Sequence, residues 1–165
     1  MNHLGAGRAA LARGDWPAAR LAFDAAVLAK ESPEALEGLG HAAWWLDLAD
    51  VVFDVRERAY RLYQQRGDRV GAARMAVWLA WDTAAFRGEQ AIANGWLQRA
   101  HRLLEGHADT TEHAWLALRS GIFALLDEGD PEAAAALASE AVRIGQLTGA
   151  VTTRWSDARC TASRA

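Results

Sequence analysis

The chain of 165 residues has a single cysteine, Cys160. No intrachain disulfide can form, so cysteine usage gives no sign of an oxidising compartment. A basic surplus is also missing, because the formal net charge is -3. Domains that grip nucleic acid through its phosphates carry clustered Lys and Arg in excess of their acids. Long apolar runs are absent: the longest, Met75 to Trp81, falls far short of the roughly 20 residues needed to span a bilayer. Met1 to Arg8 has neither the basic head nor the apolar stretch of a signal peptide. The expectation is a cytoplasmic protein with no membrane contact and no direct nucleic-acid binding. Val, Ile and Thr are sparse and Ala is abundant, which favours helix over sheet.

The chain does contain a repeat. Gly14-Asp15 is followed by Ala19, Phe23 and Ala26, and Gly129-Asp130 by Ala134, Ala138 and Ala141. Gly88-Glu89 is followed by Ala93, Leu97 and Ala100. A weaker copy runs from Asp47 to Val52, Arg56 and Ala59. Anchors at 14, 47, 88 and 129 are spaced 33, 41 and 41, and the small or apolar positions fall at +5, +9 and +12. Those offsets trace one helical face.

Punctuation agrees with that register. Pro17, Pro33 and Pro131 sit in first turns, where a missing N–H costs nothing. Asp15, Ser32 and Asp130 are N-cap candidates, and Asp109 with Glu112 has capping-box spacing. Gly14, Gly67, Gly88, Gly106, Gly129 and Gly149 each follow an apolar-periodic run, where a left-handed residue ends a helix. Eight helices are predicted at about 4–13, 16–29, 33–46, 49–66, 69–87, 89–105, 110–128 and 131–148. The fold class is all-α, a right-handed solenoid of about four antiparallel hairpins over residues 1–149. Residues 150–165 form a separate, irregular or partly helical tail.

Gly7, Gly14, Asp15, Ala19, Phe23, Ala26 and Pro33 resemble the tetratricopeptide repeat. Arg56 at the aromatic position and Trp81 at a small-residue position depart from that pattern, as does the 41-residue spacing. Gly7-Arg8-Ala9-Ala10-Leu11-Ala12-Arg13-Gly14-Asp15-Trp16 and Trp78-Leu79-Ala80-Trp81-Asp82 resemble the helical-repeat region of actinobacterial LuxR-type transcriptional regulators. So do Glu34 to Gly40 and Arg56 to Tyr63. That family adds a DNA-binding helix-turn-helix, which this sequence does not contain. The resemblance implies a regulatory input module, or a truncated remnant of such a regulator without activity of its own.

Chemistry-bearing motifs are few. Gly5 to Ala10 matches a dinucleotide pattern formally, but no strand precedes it to aim a phosphate. His101, His107 and His113 are six apart, off any common helical face, so no metal site is expected. No nucleophile–base arrangement stands out, and neither an enzyme nor a cofactor is expected. Arginines between 56 and 74 are interleaved with Asp54, Glu57 and Asp68, as on a solvated helix face.

Eight tryptophans are the unusual feature. Trp44, Trp45 and Trp78 lie on first helices of hairpins, which line the concave side in such arrays. Adjacent Trp44 and Trp45 point about 100° apart, so one should pack and the other face the groove. Trp81 falls at an interior position. Asp82 follows a helix apolar nearly all round and needs a partner, with Arg74 and Arg119 as candidates. A 41-residue shift aligns Asp82 with His41, and Trp78 with Glu37 and Arg119. Glu37, His41, Trp44, Trp45, Trp78, Asp82 and Arg119 are therefore the candidate groove residues. The expected partner is a protein, a peptide or a small effector. Self-association is expected through an apolar face of the last helix.

Overall fold

A computed structural model describes residues 2–127 and 129–149. The predicted tail at 150–165, with Cys160, lies outside the described residues. Eight α-helices lie among the described residues: α1 (His3–Ala12), α2 (Trp16–Ala29), α3 (Pro33–Trp45), α4 (Ala49–Gln65), α5 (Arg69–Asp82), α6 (Gln90–Leu104), α7 (Thr111–Leu126) and α8 (Pro131–Thr148). A π-helical turn, Thr83–Arg87, continues α5. Helix α1 packs on α2, α3 on α4 and α7 on α8, and the sequential neighbours α2/α3 and α6/α7 also touch. This is the repeat-like set of antiparallel hairpins that the register predicts. No described helix is long and apolar enough to cross a membrane. The chain forms two compact units, one up to Met75 and the other from Ala76.

Caps fix most boundaries. The side chains of Asp15, Ser32 and Asp130 accept from the N–H groups of Ala18, Ala35 and Ala133 at 3.1, 3.2 and 2.9 Å. The α7 cap differs from the expectation by one residue. Thr110 is the N-cap, and its N–H donates to His113 Nδ1 at 3.1 Å. Asp109 instead pairs with Arg143 at 3.1 Å, while Glu112 is buried.

All six punctuating glycines have positive φ, between 62° and 79°. The weaker repeat copy follows the same backbone path without glycine. Asp47 takes φ 57°, and among the described residues it alone does so without being glycine. Leu48 N–H then bonds Ala43 O at 3.0 Å, as Asp15 N–H bonds Ala10 O at 3.0 Å after Gly14. The repeat anchor is thus the left-handed residue itself.

The +5, +9, +12 face is the core in three hairpins. Ala19 and Phe23 are buried in the first, where Ala26 is only half-buried, Val52, Arg56 and Ala59 in the second, and Ala93, Leu97 and Ala100 in the third. In the fourth, Ala138 is exposed and Ala134 and Ala141 only half-buried. Glycines let the bulky +9 side chain settle on a first helix. A Cβ at Gly7 would stand 2.8 Å from the Phe23 ring, and one at Gly38 would overlap it. At Gly40 a Cβ would meet the Arg56 side chain at 3.1 Å. The formal dinucleotide pattern accordingly lies inside α1, with Gly7 serving close helix packing.

An L-residue pays roughly 1–2 kcal/mol to sit left-handed, and Asp less than most. Asp47→Gly should therefore raise unfolding stability by about 1 kcal/mol in urea titration, with no change in helix content by circular dichroism.

Candidate binding site

The first unit carries a cleft of about 310 Å³ lined by Arg8 and Leu11 of α1, Glu37 and His41 of α3, Tyr63 of α4 and Arg74 of α5, among others. Phe23 and Gly38 form part of its wall, so the close packing described above shapes the cleft as well.

A charged network crosses this cleft. Arg74 Nε donates to Glu37 Oε1 at 2.8 Å and a terminal nitrogen donates to Oε2 at 3.1 Å. Tyr63 OH donates to the same Oε2 at 2.9 Å and accepts from Arg74 at 3.2 Å. The Arg74 guanidinium also lies 5.5 Å from the Tyr63 ring centroid. The fork of a guanidinium matches both carboxylate oxygens, which fixes α5 against α3 in one geometry. Tyr63 is 3 % exposed. Burial, with the adjacent Glu37 charge and hydrogen bond, holds its hydroxyl protonated far above the usual phenol range. A Cβ at Gly71 would stand 2.5 Å from the Tyr63 ring, so glycine there admits the tyrosine.

His41 shares the cleft as a neutral ring. Its Nδ1 lies 3.0 Å from the Glu37 carbonyl, the geometry of an Nδ1–H donor. Burial pushes its pKa down to about 4, aided by the positive charges of Arg56 and Arg74 against the pull of Glu37. Arg56, the repeat's departure from an aromatic, thereby reaches into the site electrostatically.

Trp44 and Trp45 lie at the far end of α3. Trp45, 44 % exposed, stacks on Trp16 of α2 with centroids 4.9 Å apart and planes 9° from parallel. It meets Trp44 edge-on at 5.2 Å. This pair builds an aromatic platform, and neither ring lines the cleft.

The second unit holds Trp78, Asp82 and Arg119. Asp82 is fully buried in the last turn of α5. Arg119 of α7 sits among three indoles. Its guanidinium carbon is 3.7 Å from the Trp81 ring centroid, 5.5 Å from Trp115 and 5.7 Å from Trp78. Trp78 and Trp115 face each other at 6.0 Å, tilted by 38°. Trp81 is half-buried here and packs on a cation; the interior position expected for it is not taken. The bulk of an indole at the register position of Gly7 and Gly40 explains that displacement.

Sequence reading missed Arg8, Tyr63 and Trp115 as site residues and used Arg74 only as a partner for Asp82. The register contained a signal for two of them. Glu37 and Arg74 recur 41 residues later as Trp78 and Trp115, which also touch. The same rung between consecutive first helices is ionic in one unit and aromatic in the other.

Among the described residues no group of three or more His, Cys, Asp and Glu side chains could hold a metal ion. Compared with known proteins, the chain matches no family model and no curated protein.

Two measurements probe the cleft. In a double-mutant cycle of Glu37→Gln and Arg74→Met, urea unfolding should give a coupling energy of about 1–3 kcal/mol. For His41, the unfolded chain takes up a proton near pH 6.5 that the folded chain refuses until about pH 4. Its neutral burial costs nothing above pH 6.5, and stability falls as pH drops through that window. His41→Gln should shrink the stability lost between pH 7 and pH 4.5 by on the order of 2 kcal/mol.

Proposed function

We propose that this chain is a non-catalytic binding scaffold, receiving a protein segment, a peptide or a small effector on the side of its first helices. The observation that carries the reading is the Glu37–Arg74–Tyr63 network within the cleft of the first unit. It fixes polar groups and an apolar wall in advance, so a ligand meets a surface whose ordering cost is already met. Mixed polar and apolar lining suits a segment with one anchor side chain and a few backbone hydrogen bonds. The tryptophan platform and the Arg119 cluster add large, partly exposed aromatic area, the residue types that dominate binding energy at interfaces.

Hairpins closed by a left-handed anchor, with a bulky +9 residue over a first-helix glycine, support the tetratricopeptide-like assignment. A regulatory input role in the cytoplasm follows from the resemblance to LuxR-type regulators. Self-association through α8 is supported by Val142 and Leu147, which are 60 % and 68 % exposed.

Peptides selected from a random displayed library against the purified full chain test the cleft. Binders should lose at least about tenfold in affinity with His41→Ala, Arg8→Ala or Glu37→Gln, each checked for folding by circular dichroism. A selection that yields no saturable binder, or binders indifferent to all three changes, would sink the assignment.

A further inference from the structure

The charges that line the cleft of the first unit do not balance. Glu37 is closed by the Arg74 fork at 2.8 Å, and Glu34 pairs with Arg66 at 2.9 Å. His41 is neutral above about pH 4. Arg8, on the α1 side, makes no hydrogen bond and no ion pair among the described residues. Helix α1 has no acidic residue that could pair with it one turn away. Both lining acids are thus held by other arginines, and one lining cation is left without an acid.

We propose that this cleft takes an acidic protein segment, with an Asp or Glu carboxylate on Arg8 and a neighbouring apolar side chain against Leu11 and Phe23. The assignment rests on the cleft being the binding surface proposed above, and it names the chemistry of the occupant. Arg8 and Leu11 are three residues apart on α1, one turn along the same face. Arg8 is exposed, Leu11 half-buried and Phe23 buried, so the charge sits at the rim and the apolar wall lies deeper. A guanidinium donates charge-assisted hydrogen bonds to a carboxylate, and these are stronger than bonds between neutral groups. Charge and anchor on adjoining residues of one segment match that spacing.

Size and sign restrict that occupant. A volume of about 310 Å³ lies at the lower end of ligand pockets, roughly the space of one or two side chains. A basic segment would meet Glu37 only after displacing the two-point bond from Arg74, and it would bring a like charge beside Arg8. A polyanion calls for several cations, and the chain's net charge of -3 opposes it. A single carboxylate feels that net charge weakly, because charges more than about 10 Å away are screened at ordinary salt.

Three pools of short peptides, acetylated and amidated at their ends, serve as probes of the full chain by fluorescence anisotropy. Each pool pairs Leu, Ile or Phe with one polar neighbour: Asp or Glu in the first, Asn or Gln in the second, Lys or Arg in the third. The acidic pool should bind about tenfold tighter than the amide pool, and added salt should narrow the gap. This comparison uses the unaltered protein, so it stands even if a variant fails to fold. Arg8→Gln should bring the acidic pool down to the affinity of the amide pool, and Arg8→Glu should turn the preference to the basic pool. Arg13→Gln, which removes another exposed α1 arginine outside the cleft, should leave the preference unchanged. The proposal is overturned if the amide pool binds as tightly as the acidic one, if the basic pool binds tightest, or if folded Arg8→Gln keeps the preference. Loss of the preference in Arg13→Gln would also overturn it, because overall charge and not the cleft would then set it. If no pool binds while library-selected peptides still depend on His41 and Glu37, the acidic assignment falls and the scaffold reading stands. If the library too yields no saturable binder, both fall.

Discussion

The first two hairpins rest on one steric constraint: two helices must approach closely enough for a bulky side chain of one to lie on the backbone of the other. In the first hairpin that side chain is Phe23, held over Gly7 and also over Gly38 of the next hairpin. Burying a phenylalanine is worth about 1.5–3 kcal/mol, and the gain depends on there being no Cβ beneath it. Tight reversal at a left-handed residue delivers the second helix in the right register for this contact. The approach of the first two hairpins and the wall of the cleft follow from it.

That dependence explains why the fold was legible in the sequence. Glycine punctuation, proline in first turns and an apolar face at +5, +9 and +12 are local signals, and local signals fix helix boundaries well. The capping box moved by one residue because Asp109 had a distant competitor, Arg143, that no local pattern reveals. Asp47 could be placed as an anchor by spacing, but its left-handed backbone was hidden, since aspartate rather than glycine stands there.

The site was less legible because it depends on which side chains pair across the array. Glu37 and His41 could be named from register alone. Tyr63 could not, because its hydroxyl reaches Glu37 from a second helix and looks like an ordinary surface aromatic in sequence. Arg74 was visible as a cation but not as the fork that closes on Glu37. Tryptophans at helical spacing announce aromatic surface; only three-dimensional contact divides them into a platform with Trp16 and Trp45 and a cluster about Arg119.

The repeated rung has a consequence for how such a scaffold changes. Positions 37 and 74 carry a salt bridge, and their equivalents 78 and 115 carry two indoles, yet both pairs join first helices of successive hairpins. The two kinds of contact answer differently to the surroundings: added salt screens the first, and cooling weakens the second. Backbone and chemistry are therefore separable in this architecture. A rung is a slot at a fixed register position, filled by an ion pair in one unit and by two indoles in the other.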